Sequence, residues 1–243
     1  MFAVTTSRKS DARAGNRSAP TQLAPAAEQS PNVDFAAPLD SATAGHLLFS
    51  TGAAGLSLHV DPTLADLCRA HFERHIPTAQ AREGVVTVRY PNFSLFNWLV
   101  YWREPLAEVT LSAAVPWQIE VHGGVSKLTA DLRGLWLTKF SMDGGASGVL
   151  AMLPAPAGVT PIHVGGGASN VTFHRPAGVA VRVQVQSGVS NLTLDDHYFG
   201  AVGGGLEWAT PDYPQAPARY DIRIGGGASN LTIGAWQPQR TVG

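Results

Sequence analysis

From residue 117 onward, apolar positions alternate with polar ones, and the alternation breaks at regular intervals on glycine. Ile119/Val121, Phe140/Met142, Ile162/Val164, Val183/Val185 and Ile222/Ile224 precede the breaks. Leu128/Ala130, Val149/Ala151, Val171/Phe173, Leu192/Leu194 and Leu231/Ile233 follow them. A period of two on β-branched and aromatic residues predicts strands with one face turned inward, and it excludes a helix. The glycines are assigned to the corners between paired strands, because glycine takes positive φ without a Cβ penalty. Pro156-Ala157-Gly158-Val159 and Pro176-Ala177-Gly178-Val179 predict a second corner after each pair.

The corners repeat. Gly124-Val125-Ser126, Gly145-Ala146-Ser147, Gly167-Ala168-Ser169, Gly188-Val189-Ser190 and Gly227-Ala228-Ser229 place their serines 21, 22, 21 and 39 residues apart. A unit of about 21 residues has too few inward side chains for a core of its own, so units must stack. The expected fold is all-β, a single-stranded β-solenoid of about 21-residue coils. A β-sandwich is the competing fold, but it has no reason to repeat its loops.

Earlier in the chain the pattern is weaker. His46 to Leu58 carries a strand, a glycine corner and a strand, the mark of a degenerate coil. Asp61-Pro62 resembles an N-cap followed by proline at the first helical position, and predicts a short helix with Leu64, Leu67, Cys68 and Phe72 at core spacing. Val85 to Tyr90 predicts a strand, Phe93 to Trp102 a buried strand pair, and Val109 to Trp117 a strand leading into the regular coils. Residues 1–34 mix Ser, Ala, Pro, Gln and Arg without apolar periodicity and are expected to form a disordered tail. Residues 35–116 then hold irregular first coils and a cap with the short helix. Residues 117–236 hold the regular repeats, with an insertion at 195–220. Ala235-Trp236-Gln237-Pro238 is the expected carboxy-terminal cap.

Composition narrows the function classes. Seventeen basic residues against 18 acidic give a net charge of -1, so no field is available to hold a nucleic acid. Cys68 is the single cysteine and has no internal disulfide partner. No apolar run reaches the roughly 18 residues of a spanning helix, and the amino terminus lacks the stretch of a secretory signal. A soluble, cytoplasmic chain without membrane insertion is expected.

The run from Val115 to Leu135, with its Gly-Gly-Val-Ser corner and Asp131-Leu132-Arg133-Gly134-Leu135 turn, resembles the toast-rack or LiaF-like adhesin-type repeats, as do the Gly-Gly-Ala-Ser copies after it. That resemblance covers roughly residues 45–235. It implies a bacterial β-solenoid used for protein contacts, linked to the envelope-stress response, and it supplies no catalytic residues.

Candidate chemistry is sparse. Ser126, Ser147, Ser169, Ser190 and Ser229, with Asn170, Asn191 and Asn230, are expected to form polar ladders that satisfy the corner backbone. A sugar- or ice-facing hydroxyl surface is the alternative for them. The Asn-X-Thr triplets at 170, 191 and 230 match the glycosylation acceptor pattern, yet they arise from the repeat. His71 and His75 stand four apart with Cys68 one turn earlier, so a predicted helix would put a zinc-compatible trio on one face, although Glu73 falls at the wrong step for the protease pattern. The positions before the corners read His122, Asp143, Gly165, Gln186 and Gly225, which makes no acidic column for glycoside hydrolysis. Asp195-Asp196-His197 is a dense polar cluster expected to be a loop, and Gly200 to Gly205 lacks the lysine and helix of a phosphate loop.

The insertion is the least regular feature. Tyr198, Phe199, Trp208 and Tyr213 lie in it, and insertions in stacked repeats leave on one face as loops, often the binding face. These four residues form the candidate partner-binding loop. The expected function is a non-enzymatic scaffold or protein-interaction module without cofactor, metal or small-molecule ligand. The alternatives are a self-assembling, filament-forming solenoid and, third, a carbohydrate-active enzyme.

Overall fold

A computed structural model describes residues 32–73, 76–90 and 107–236. All the regular structure in them is β. The strands are β1 Asn32–Pro38, β2 Gly45–Phe49, β3 Ala53–Asp61, β4 Asp66–Glu73, β5 Thr78–Arg82, β6 Val85–Arg89, β7 Ala107–Ser112, β8 Pro116–Val121, β9 Val125–Asp131 and β10 Trp136–Met142. They continue as β11 Ala146–Met152, β12 Val159–Val164, β13 Ala168–Pro176, β14 Ala180–Val185, β15 Val189–Leu194, β16 His197–Val202, β17 Leu206–Ala209, β18 Arg219–Ile224 and β19 Ala228–Trp236.

They form two mixed sheets. One runs β1-β4-β7-β3-β9-β11-β13-β19-β15-β16, the other β17-β14-β18-β12-β10-β8-β2-β6-β5. Each repeat gives one strand to each sheet, and the interior pairs are parallel. Antiparallel pairs occur only towards the ends, at β1–β4, β4–β7, β15–β16, β14–β17 and β5–β6.

The inward alternation read from the sequence is realised, since every one of the ten residue pairs named above is buried. Parallel registration places like on like. Leu56, Leu128, Val149, Val171, Leu231 and Leu192 form one row, and Leu47, Ile119, Phe140, Ile162, Ile222 and Val183 form the facing one. Phe140 and Phe173 meet across the core edge to face, with centroids 6.4 Å apart. Burying such side chains contributes roughly 1.5–3 kcal/mol each, and with both sheets lined throughout there is one continuous core.

The stacking order departs from chain order. β18 and β19, the last unit, lie between the unit of β12 and β13 and that of β14 and β15. At the other end, β6 and β7 lie outside β2 and β3, although they follow them in sequence. The units expected to pile up consecutively are therefore permuted at both ends. β19 is paired on both sides, so Ala235 and Trp236 end an interior strand and do not cap the stack; residues 237 and 238 lie outside the described residues.

The predicted short helix is absent. Asp61 instead closes a turn, with its Oδ1 accepting from the Thr63 amide at 2.8 Å and from the Thr63 hydroxyl at 2.7 Å. Cys68, Ala70 and Phe72 then point inward on β4 while Arg69, His71 and Glu73 point out. Leu67 is buried as well, next to a bulge where Ala37 pairs with Cys68 but Pro38 with Asp66. The apparent helical spacing is thus a strand of period two with one extra residue. Val109 to Trp117 is likewise two strands, β7 and the start of β8, separated by a turn. Asn32 to Asp34, assigned to the tail, begin β1; residues 1–31 and the Phe93 to Trp102 segment lie outside the described residues.

Positive φ, the expected cause, holds at Gly52 and Gly123 and, in the second corner, at Gly178, but most corner glycines have another. Gly144, Gly145, Gly165, Gly166, Gly225 and Gly226 do not have positive φ; a Cβ on Gly165 would stand 2.2 Å from the Asp143 carbonyl oxygen, and one on Gly226 2.7 Å from the Gly167 nitrogen. Successive corners stack backbone on backbone, leaving no room for a side chain. A row of left-handed positions falls just after the serines and the aligned Ala54, at Gly55, Lys127, Gly148, Asn170, Asn191 and Asn230, with φ of 53° at Asn170. A left-handed residue breaks the strand alternation, so Ser147 and Gly148 both face out before Val149 turns in. Asparagine tolerates this conformation better than most residues.

Candidate functional site

The carboxy-terminal side of the stack ends in the 195–220 insertion, which is a built cap and not a loose loop. β16 pairs antiparallel with β15, and β17 with β14, so two successive strands extend the two sheets, one each. Phe199 and Trp208 are half-buried against the core, and Tyr213 is only 8% exposed. The guanidinium groups of Arg182 and Arg219 lie 5.0 and 4.9 Å from the Tyr213 ring, which fixes that tyrosine as a packing element. Tyr198 differs from the other three. It is 66% exposed, on the outer face of an edge strand.

Asp195 anchors the start of the cap. Its two oxygens each accept from Arg175 at 2.7 Å, and Arg175 Nε donates to the Val179 carbonyl at 2.7 Å. Arg175 is buried, so the carboxylate is committed to neutralising it. The Asp195-Asp196-His197 cluster is thereby structural at its first member.

The serines align in the order Ser126, Ser147, Ser169, Ser229, Ser190, following the permuted stack. Ser229 Oγ donates to Ser169 Oγ at 3.4 Å. Beside them, Asn191 Nδ2 donates to Asn230 Oδ1 at 3.0 Å and Asn230 Nδ2 to Asn170 Oδ1 at 2.8 Å. Tyr198 Oη donates to Asn191 Oδ1 at 3.1 Å, so the amide ladder runs into the cap. One row further, Thr129, Leu150, Thr172, Thr232 and Thr193 lead to Tyr198 in register. The result is an even outer face, polar but for the exposed Leu150, that ends on an exposed aromatic ring.

The opposite sheet carries ion pairs on its outer face. Glu120 accepts from Lys139, and His46 and His122 lie 3.4 and 3.6 Å from it. The Lys139 hydrogen bond holds the Glu120 carboxyl below its usual range. Asp143 sits 3.5 Å from His122 and accepts from Ser141. In the stacked order the row before the corners reads His122, Asp143, Gly165, Gly225, Gln186, and Asp143 is its only carboxylate. Burial pushes Asp221 up, but hydrogen bonds and charge from Arg182 and Arg223 outweigh it and keep the carboxyl low.

The zinc-compatible trio is taken apart by the strand. Cys68 points into the core and His71 to the outside; His75 lies outside the described residues. Burial pushes the Cys68 thiol up to about 12, so without a metal it stays protonated at neutral pH. Among the described residues no group of three or more His, Cys, Asp or Glu side chains is placed to hold a metal ion.

Sequence reasoning missed a second polar site, a cleft of about 420 Å³ on the outer face of β1, β4 and β7, lined in part by Asp34, Asp66, Arg69, His71 and Glu108. Asp34, His71 and Glu108 are direct cross-strand neighbours, which becomes visible only with the strand pairing. His71 Nδ1 is 2.6 Å from Asp34 Oδ1 and its Nε2 is 3.7 Å from Glu73. The Asp34 hydrogen bond, with the charges of Asp34, Glu73 and Glu108, holds the imidazolium above its ordinary range. Because folding raises this pKa, its contribution is complete below the unfolded value of about 6.5 and is lost as pH rises through the folded one. Amide exchange in β1, corrected for intrinsic rates, should therefore accelerate relative to β11 over that rise, and Asp34→Asn should remove the dependence. A pH-independent ratio in the native chain would refute this.

No family model matches the chain, and no curated protein matches it. Among solved structures, it is similar to a putative cell adhesion protein from Clostridium sporogenes ATCC 15579, with a TM-score of 0.56, 15% identity, and coverage of 86% of this chain and 100% of that one. At that identity the likeness establishes a shared all-β fold.

Proposed function

We propose that the two sheets are the two sides of a flattened β-solenoid that serves as a non-enzymatic protein-interaction module, with its contact surface at the cap end. The observation that carries this reading is the exposed Tyr198 ring at the end of an even, mostly polar face, on a cap whose other aromatics are packed. Exposed aromatics next to rigid, satisfied polar groups are the usual anchors of partner contact. Asp195, the acidic residue singled out in the insertion, is engaged by Arg175, which argues against a catalytic role for it. A neighbour in fold described as a putative cell adhesion protein agrees with a binding role. The toast-rack resemblance extends the proposal to a cytoplasmic partner in the envelope-stress response.

The test is site-specific photocross-linking in the native cell, with the reactive side chain at position 198 or at Val159, exposed on the other sheet. A discrete adduct with a second kind of protein from position 198 alone is expected. Adducts from neither position, or equal adducts from both, would overturn the assignment.

A further inference from the structure

We propose that β16 is a homodimerisation edge, on which two copies of this chain pair their β16 strands antiparallel about a twofold axis and join their ten-stranded sheets. This deepens the interaction-module reading by naming a second copy as a partner of the same cap.

A sheet edge presents unpaired N–H and C=O groups, and proteins protect such edges with charges, proline or short length. Three of the four edges here are protected in that way. β1 carries Asp34 and ends on Pro38; β5 ends on the exposed Arg82; β17 has four residues and includes Glu207. β16 reads His197-Tyr198-Phe199-Gly200-Ala201-Val202, without an acidic residue, lysine, arginine or proline, and four of its six residues are exposed. Among the described residues, nothing pairs with its outer side.

The strand is also self-complementary. Antiparallel pairing about Gly200 sets Gly200 opposite itself, Phe199 opposite Ala201 and Tyr198 opposite Val202 of the second copy, and an aromatic residue facing a β-branched one stabilises such a pair. Gly200 falls on the axis, opposite its own copy, and a Cβ there would meet no atom within 4 Å, so the second backbone has open space to enter. A twofold contact uses the same patch on both copies and closes at two. With Asp34, Pro38 and Arg82 guarding the other end of the stack, growth into a filament has no second edge to use. An edge of six residues is small against the roughly 1,200–2,000 Å² of a stable interface, so the dimer forms reversibly with concentration.

The test is sedimentation of the purified full chain over a concentration series, so that no second protein enters. The native chain should pass from monomer to dimer. Gly200→Lys and Gly200→Glu should each stay monomeric with unchanged melting, because like charges meet at the axis, and mixing the two in equal amounts should restore the dimer. If position 200 variants do not fold, the same lysine and glutamate pair at the exposed Ala201 replaces them. A native chain that stays monomeric, one that grows beyond two copies, a lysine variant that dimerises like the native chain, or a mixture that stays monomeric would each overturn the proposal. A failed dimer leaves the cross-linking result at Tyr198 standing, whereas adducts confined to this chain's own copies would sustain the dimer and defeat the heterologous reading.

Discussion

Gly165→Ala is expected to lower the melting temperature by about 6–12 °C, corresponding to a loss of roughly 3 kcal/mol. The alanine Cβ would lie 2.2 Å from the Asp143 carbonyl oxygen and 2.9 Å from its carbonyl carbon. Both are backbone atoms of the adjoining unit, and that unit cannot yield, because the Gly165 amide donates to the Met142 carbonyl at 2.8 Å and the strands on either side are in register. Relief requires separating two units over several hydrogen bonds. Gly158→Ala is the matched control: it lies in the second corner, where a Cβ meets nothing within 4 Å. Thermal denaturation of the two variants decides the matter. Equal melting would mean that the corners are not held at backbone contact.

Val171→Asp is expected to abolish folding. Val171 is 0% exposed and is paired with Val149 on one side and Leu231 on the other, so a carboxylate there would enter an apolar row without a partner. Removing a buried methyl pair and desolvating a charge together exceed about 4 kcal/mol, a large part of the stability of a domain this size. Thr172→Asp, one residue on, changes the outer face of the same strand and should leave the protein folded, since Thr172 is partly exposed. Soluble yield and far-UV circular dichroism distinguish the pair. A soluble, β-rich Val171→Asp variant would refute the inward assignment on which the core is built.

The cap shows where sequence reading reached its limit. Its aromatic density and the 39-residue spacing mark 195–220 as exceptional and group the four aromatics as one candidate surface. Folding separates them: Tyr213 goes between two guanidinium groups, Phe199 and Trp208 go against the core, and Tyr198 remains outside. Which side of a short edge strand is covered depends on its pairing partner, and spacing alone does not encode that. The Asp34–His71–Glu108 row was hidden for the same reason, since its members are 37 residues apart and come together through antiparallel pairing.

Local chemistry was sufficient for the strands, their inward faces and the places where the regular units turn, because alternation and turn composition are properties of neighbouring residues; the backbone contact between corners joins residues of different units and came only with the stacking. Local chemistry failed at β4, where a bulge at Leu67 shifted the alternation into a spacing that imitates a helix. The order of the units was decided by the tertiary structure alone. Every unit presents nearly the same row of Ile, Val and Leu to its neighbours, so the pattern fits several slots equally well; β16 and β17 cover one side of β15 and β14, and the last unit occupies the other.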